Sequence, residues 1–301
     1  MTVSRRGVLA AAVLLLAAAA LVLLWPRLPW RRSDARSLLA ELPPGDGLTV
    51  FVDARALRQT GILQRLAGEA GAEDDEYKRF VEATGFEYRR DLDAFVLRSD
   101  DGRRWIAADA RIDEAKLRRY FLAQGGRCVG PLCSMQGSTV ERQISWIRLR
   151  RGRLGIAVSP DPLAAAAFGE KSQPREWQPP DALLWLYVPA RMLKAPEGAP
   201  AWLALALESL RGSRWLLWSA TAEGSQILVR LEVACAGEEP ARQIAARWDE
   251  VLKALKEAAS AAGDTNSLPA LLAEGRVRAE GDRVLGEWRQ DWKRLERLLV
   301  Q

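Results

Sequence analysis

The chain has 301 residues, 28% of them charged, which is enough for one large or two small globular domains. Its formal charge is +5 and it contains no histidine, so Ser-His-Asp and Cys-His nucleophile activation and every imidazole metal site are excluded. The positive charge is local. Residues 1–36 hold six arginines against Asp34, which leaves 38 basic and 38 acidic side chains to the rest of the chain. A balanced domain lacks the usual electrostatic footprint for nucleic acid.

Residues 1–6 form a short tail with Arg5 and Arg6, and Gly7 to Trp25 is a 19-residue stretch without charge. As a helix it would measure roughly 28 Å, close to the hydrocarbon thickness of a bilayer. It predicts a transmembrane anchor over 7–25 rather than a cleaved signal, since the apolar run continues through Leu24 past the small residues at 17–20. Trp25 and Trp30 suit an interfacial belt, and 26–39 is read as a basic juxtamembrane linker. Arginines flank both ends of the span. Ser4-Arg5-Arg6-Gly7-Val8-Leu9 resembles the twin-arginine export motif, which favours an ectodomain outside a bacterial inner membrane.

The remainder reads as two copies of one pattern, 40–172 and 183–301, joined by 173–182. Paired prolines, Pro43-Pro44 and, at the end of the linker, Pro179-Pro180, precede the first strand of each copy. Leu48 to Asp53 then runs into Ala54-Arg55-Ala56-Leu57, and Leu183 to Pro189 runs into Ala190-Arg191-Met192-Leu193. Helical regions follow, to Gly85 and Gly212. Hairpins turn at Asp101-Gly102 and Glu223-Gly224. Second helices, 113–124 and 240–262, end before Gly125 and Gly263. A last hairpin closes each copy, at Arg151-Gly152 and Gly281-Asp282, with a helix after it. The predicted order is β-α-β-β-α-β-β-α twice, an α+β fold with largely antiparallel sheets and helices on one face. Trp105, Trp146, Trp185, Trp215, Trp218 and Trp288 fall in strand-like segments and are read as core.

The segment Leu42-Pro43-Pro44-Gly45-Asp46-Gly47, the strand into Ala54-Arg55-Ala56-Leu57, and Thr84-Gly85-Phe86 with Arg90-Asp91-Leu92-Asp93 resemble a group of uncharacterised bacterial membrane-anchored envelope proteins. The resemblance implies an anchor ahead of a duplicated α+β domain. It implies no catalytic residues.

Candidate sites are few. Asp53 ends a strand and starts a helix, where a catalytic carboxylate could sit, but its counterpart is Pro189; both are read as helix-start devices. Arg55 and Arg191 recur at matching positions and are candidate interaction residues. The run Glu73 to Glu76 lacks the spacing of a calcium loop and reads as helix N-terminal charge. Asp91 and Asp93, beside Arg89 and Arg90, read as an ion-pair cluster. Cys128 and Cys133 enclose Gly130-Pro131 between a helix and a strand, a turn tight enough for a disulfide, as an oxidising compartment would allow. Cys235 reads as a buried free thiol. No catalytic, metal or cofactor set emerges. The function read from these features is a non-enzymatic, membrane-anchored envelope protein. Its partners are the inner membrane, through 7–25, and a protein or envelope component, with no nucleic acid. The alternatives are a lipid or small apolar ligand-binding module and a carboxylate-dependent hydrolase.

Overall fold

The computed structural model describes residues 34–294, apart from 60–74, 140, 151, 171–173, 195–197, 199, 200, 225, 264–266, 292 and 293. The uncharged stretch 7–25, Glu73, Asp74 and nearly all of the expected closing helix lie outside the described residues. Among the described residues, no helix is long and apolar enough to cross a membrane. The fold is α+β, and the strand pairings within each unit are antiparallel. The chain divides between Asp181 and Ala182 into two compact units.

The first unit begins with helix α1 (Ala35–Glu41), where the sequence suggested linker. The Asp34 carboxylate caps it by accepting the Ser37 N–H at 3.1 Å. Leu38, Leu39 and Leu42 are buried, so apolar spacing outweighs the arginines that signalled a linker. Strand β1 (Leu48–Val52) leads into α2 (Ala54–Gln59), and α3 (Asp75–Thr84) and α4 (Tyr88–Asp91) follow. The hairpin β2 (Leu92–Asp100) and β3 (Arg103–Ala110) turns on Asp101 and Gly102, both at positive φ as a type I′ turn requires. Helix α5 (Glu114–Ala123) is capped by Asp113 and ends at Gly125, also at positive φ.

The chain then departs from the expected order. Arg127–Val129 (β4) and Leu132–Gln136 (β5) form an extra hairpin before β6 (Gln143–Arg150) and β7 (Arg153–Ser159). The Cys128–Cys133 disulfide is present, but the two cysteines face each other across this hairpin rather than closing an irregular turn. The strand order in the unit is β1-β2-β3-β7-β6-β5-β4.

Both faces of this sheet are covered, not one. Alternation places Trp146, Leu154 and Cys133 under Leu117 and Phe121 of α5. On the opposite face Trp105 meets Phe168, which follows a short 3-10 turn (Ala164–Ala167) where an Ala-rich helix was expected. Gly155 makes this contact fit, because a Cβ there would lie 2.8 Å from the Phe168 ring.

Arg98 on β2 is only 3% exposed and donates to the carbonyls of Pro43, Pro44 and Gly45. The fork of one guanidinium thus holds the loop between α1 and β1, two of whose residues, Pro43 and Pro44, have no N–H to donate. Burial pulls its pKa below the ordinary arginine value.

In the second unit, β8 (Leu184–Pro189) enters a 3-10 turn (Ala190–Met192), and α6 (Ala201–Ser209) follows. The hairpin β9 (Ser213–Glu223) and β10 (Gln226–Cys235) leads to α7 (Glu238–Ala262), which stops at the left-handed Gly263. A further helix unforeseen in the sequence, α8 (Leu268–Ala273), is capped by Ser267 and precedes β11 (Arg276–Glu280) and β12 (Arg283–Asp291). The strand order is β8-β9-β10-β12-β11. The core packs Ile244, Trp248 and Leu252 of α7 against Leu231, Val233, Val284 and Trp288 of the sheet. Cys235 is a free, buried thiol, and burial raises its pKa. All six strand-assigned tryptophans lie on strands.

Candidate functional site

Asp53 is 2% exposed, and its carboxylate accepts the Ala56 N–H at 2.9 Å. It is a helix cap on α2. Replacing it with Ala should cost about 1–2 kcal/mol, whereas Asn, which caps as well, should cost much less. Comparing urea midpoints of the two variants checks this.

The charged residues gather around a bulge in β2. Leu92 pairs with Ala110 and Ala94 with Asp109, so Asp93 has no cross-strand partner. A bulge re-aims a side chain. Here the Asp93 carboxylate receives Arg55 at 2.5 Å and Arg58 at 2.9 Å from α2, and Arg111 at 3.2 Å from just beyond β3. Asp91, at the end of α4, receives Arg90 at 2.7 Å and Arg111 at 3.8 Å. The sequence pointed to Arg89 and Arg90 as the partners. Arg89 instead donates to the Tyr88 hydroxyl, and Arg58 and Arg111 were missed. The i,i+3 spacing of Arg55 and Arg58 was the available signal.

Burial alone would raise the Asp93 pKa. The Arg55 hydrogen bond, the charges of Arg55 and Arg111, and the Arg58 bond outweigh it and hold the pKa below the usual value. Asp91 is likewise lowered, chiefly by the Arg90 hydrogen bond. A glycosidase-type acid needs a raised pKa. Both aspartates are therefore ionised at neutral pH and locked by guanidinium, and the hydrolase alternative gains no proton donor here. The chemistry of the cluster is structural: it ties α2 and α4 to the bulged end of β2.

Of the two recurring arginines, Arg55 belongs to this cluster, and Arg191 lies exposed on the 3-10 turn after β8. Glu76 lies in the first turn of α3 with Asp75, as N-terminal charge should. Among the described residues no group of three or more Cys, Asp or Glu side chains is placed to hold a metal ion.

A cleft of about 440 Å³ lies beside the disulfide hairpin. Its lining is Glu114, Ala115 and Arg118 from α5, Pro131 at the hairpin tip, and Trp146 and Arg148 from β6. Arg118 is fixed by donating to the Gly130 carbonyl at 3.0 Å, and Arg148 pairs with Glu114 at 3.0 Å. Val129 on β4 is 75% exposed, and Leu122, one turn along α5 from Arg118, is 50% exposed. The sequence showed the two cysteines, the helix over 113–124 and the strand before Arg151-Gly152, but not that they meet at one cleft.

No protein-family model and no curated protein matches the sequence. Among solved structures, the chain is similar to crystal form I of TP0453, with a TM-score of 0.48 and 10% identity over 87% of this chain and 96% of that one. Crystal form III of TP0453 gives 0.46 and 8% over the same shares, and crystal form IV gives 0.41 and 11% over 89% of this chain and 100% of that one.

Proposed function

We propose that the chain is a single-pass bacterial inner-membrane protein whose periplasmic ectodomain works by binding a protein or envelope component rather than by catalysis. The observation that carries this reading is the Cys128–Cys133 bridge, since such bridges persist in oxidising compartments. The uncharged stretch 7–25 supplies the tether. Arginine-locked aspartates, in place of a tuned acid and base, support binding over chemistry.

The same reading groups the chain with the anchored envelope proteins its sequence resembles, and takes the two units as copies of one ancestor. The strand orders support duplication. In β1-β2-β3-β7-β6 and in β8-β9-β10-β12-β11 a first strand leads to a hairpin, and the last strand to form lies inside its predecessor.

A reporter enzyme active only outside the cytoplasm, fused after Gln301, should be active. Cys128 and Cys133 should resist alkylation in intact cells until a reductant is added. A silent reporter together with two freely alkylated thiols overturns the reading.

A further inference from the structure

We infer that the end of the first unit's sheet that carries the Asp93 cluster faces the bilayer, where Arg36, Arg90, Arg111 and Arg150 bind the phosphates of anionic phospholipid headgroups. This rests on the tether proposed above and goes beyond it, by assigning a second, polar contact with the membrane.

The fold brings these arginines to one place. Strand pairing sets Leu92 against Ala110 and Arg153 against both Asp109 and Arg150. The end of α4, the residue after β3 and the turn between β6 and β7 therefore share one end of the sheet. Helix α1 begins at the same end. The Ser37 hydroxyl accepts from both Arg150 and Arg153, and Glu41 pairs with Arg153 at 3.1 Å. Segments distant in the chain thus meet where the polypeptide enters the unit.

The length of chain before α1 keeps this end near the bilayer. Asp34 follows Trp25, the last residue of the proposed span, by nine residues, and nine extended residues reach at most about 30 Å. The connecting residues include Arg27, Arg31 and Arg32 and no acid before Asp34, so they too are drawn to an anionic surface.

Charge at this end is sorted by depth. The side chains of Asp91 and Asp93 are 11% and 10% exposed, and those of Glu41 and Asp109 are 26% and 27% exposed. The guanidiniums above them are 63% exposed for Arg90, 56% for Arg111 and 54% for Arg150, and Arg36 is exposed as well. Acids and bases pair, yet the layer that meets solvent is mainly cationic. Asp34 and Asp113 are exposed, but each carboxylate is turned to a helix N-terminus, and Glu87 is half-exposed beside Arg90. A guanidinium has five N–H donors, so one that pairs with a carboxylate beneath it keeps donors for a phosphate oxygen above. The exposed bases are arginines, whose planar fork matches phosphate better than an ammonium does.

The test is arginine footprinting. The full chain in nanodiscs of phosphatidylcholine or of phosphatidylglycerol is treated with phenylglyoxal and read by mass spectrometry. Modification of Arg36, Arg90, Arg111 and Arg150 should be about fivefold slower or more in the anionic discs. Salt at about 1 M, which shortens the screening length to ~3 Å, should remove most of this protection. Arg103 and Arg104, exposed at the opposite end of β3 and roughly 20 Å away, should react equally in both lipids. Arg36→Gln combined with Arg150→Gln should return Arg90 and Arg111 toward their rates in phosphatidylcholine. Equal rates in the two lipids would overturn the inference, as would equal protection of Arg103 and Arg104. Protection by inorganic phosphate in phosphatidylcholine discs, with none in phosphatidylglycerol discs, would also overturn it, by assigning the guanidiniums to a soluble anion. The tether is read separately, by whether the chain enters discs of either lipid. A chain that enters both without lipid-dependent protection loses this inference alone, and one that enters neither loses the tether with it.

Discussion

Asp93→Ala should lower stability by about 2–3 kcal/mol, because three guanidiniums lose the carboxylate they share, although Arg111 keeps Asp91 and Arg58 keeps the Leu92 carbonyl. The cost lies below the usual range for a broken buried pair. The side chains of Arg55, Arg58 and Arg111 are 41%, 21% and 56% exposed, so water re-solvates part of the charge they lose. Asp93→Asn should recover part of the loss by accepting one guanidinium hydrogen bond. The pH dependence has a fixed sign. The folded-state pKa of Asp93 is depressed, so its contribution is complete above the unfolded value of about 4 and is lost as pH falls through the folded value. Urea unfolding between neutral pH and pH 3 should show a steeper acid loss in the parent than in Asp93→Ala. Equal slopes would mean that Asp93 does not anchor the cluster.

The second large effect is expected at Gly275, between α8 and β11. Here glycine is needed for space rather than for backbone angle, since a Cβ would lie 2.0 Å from the indole nitrogen of Trp288. Trp288 is 6% exposed, donates to the Leu272 carbonyl at 2.8 Å and packs edge-on against Trp248. Gly275→Ala must push the ring off both contacts, which should cost about 3 kcal/mol from overpacking and a lost buried hydrogen bond. Trp288→Phe removes the hydrogen bond without a clash and should cost about 1–2 kcal/mol. Thermal melts of the two variants should therefore rank Gly275→Ala as the less stable. The reverse order would show that the ring relocates at little cost.

Neither effect could be read from residue types alone. Asp93 was legible as a member of an ion-pair cluster, but not with Arg55, Arg58 and Arg111 as its partners, and nothing in the sequence singled out Gly275. A bulge re-aimed the first, and a tryptophan thirteen residues downstream fills the space beside the second. The cleft is a similar case. Cys128 and Cys133 were legible as a bonded pair, but their hairpin was not, because β4 has only three residues and no alternation to read. Helix α8 escaped for a related reason: its six residues, Leu268–Ala273, are too few to show a period.

What the sequence determined by itself is the local backbone. Asp101-Gly102 sets a type I′ turn, Gly125 and Gly263 end helices, and Asp53 caps one, because each of these depends on sterics and hydrogen bonds within about four residues. Tertiary structure alone decided which strands are neighbours beyond the four hairpins, which arginines reach Asp93 and which surfaces enclose the cleft. Those choices join groups as far apart as Arg55 and Asp93, or Ala115 and Trp146. Contacts of that range are set by competing burial and charge across a whole unit, and no short stretch of chain contains them.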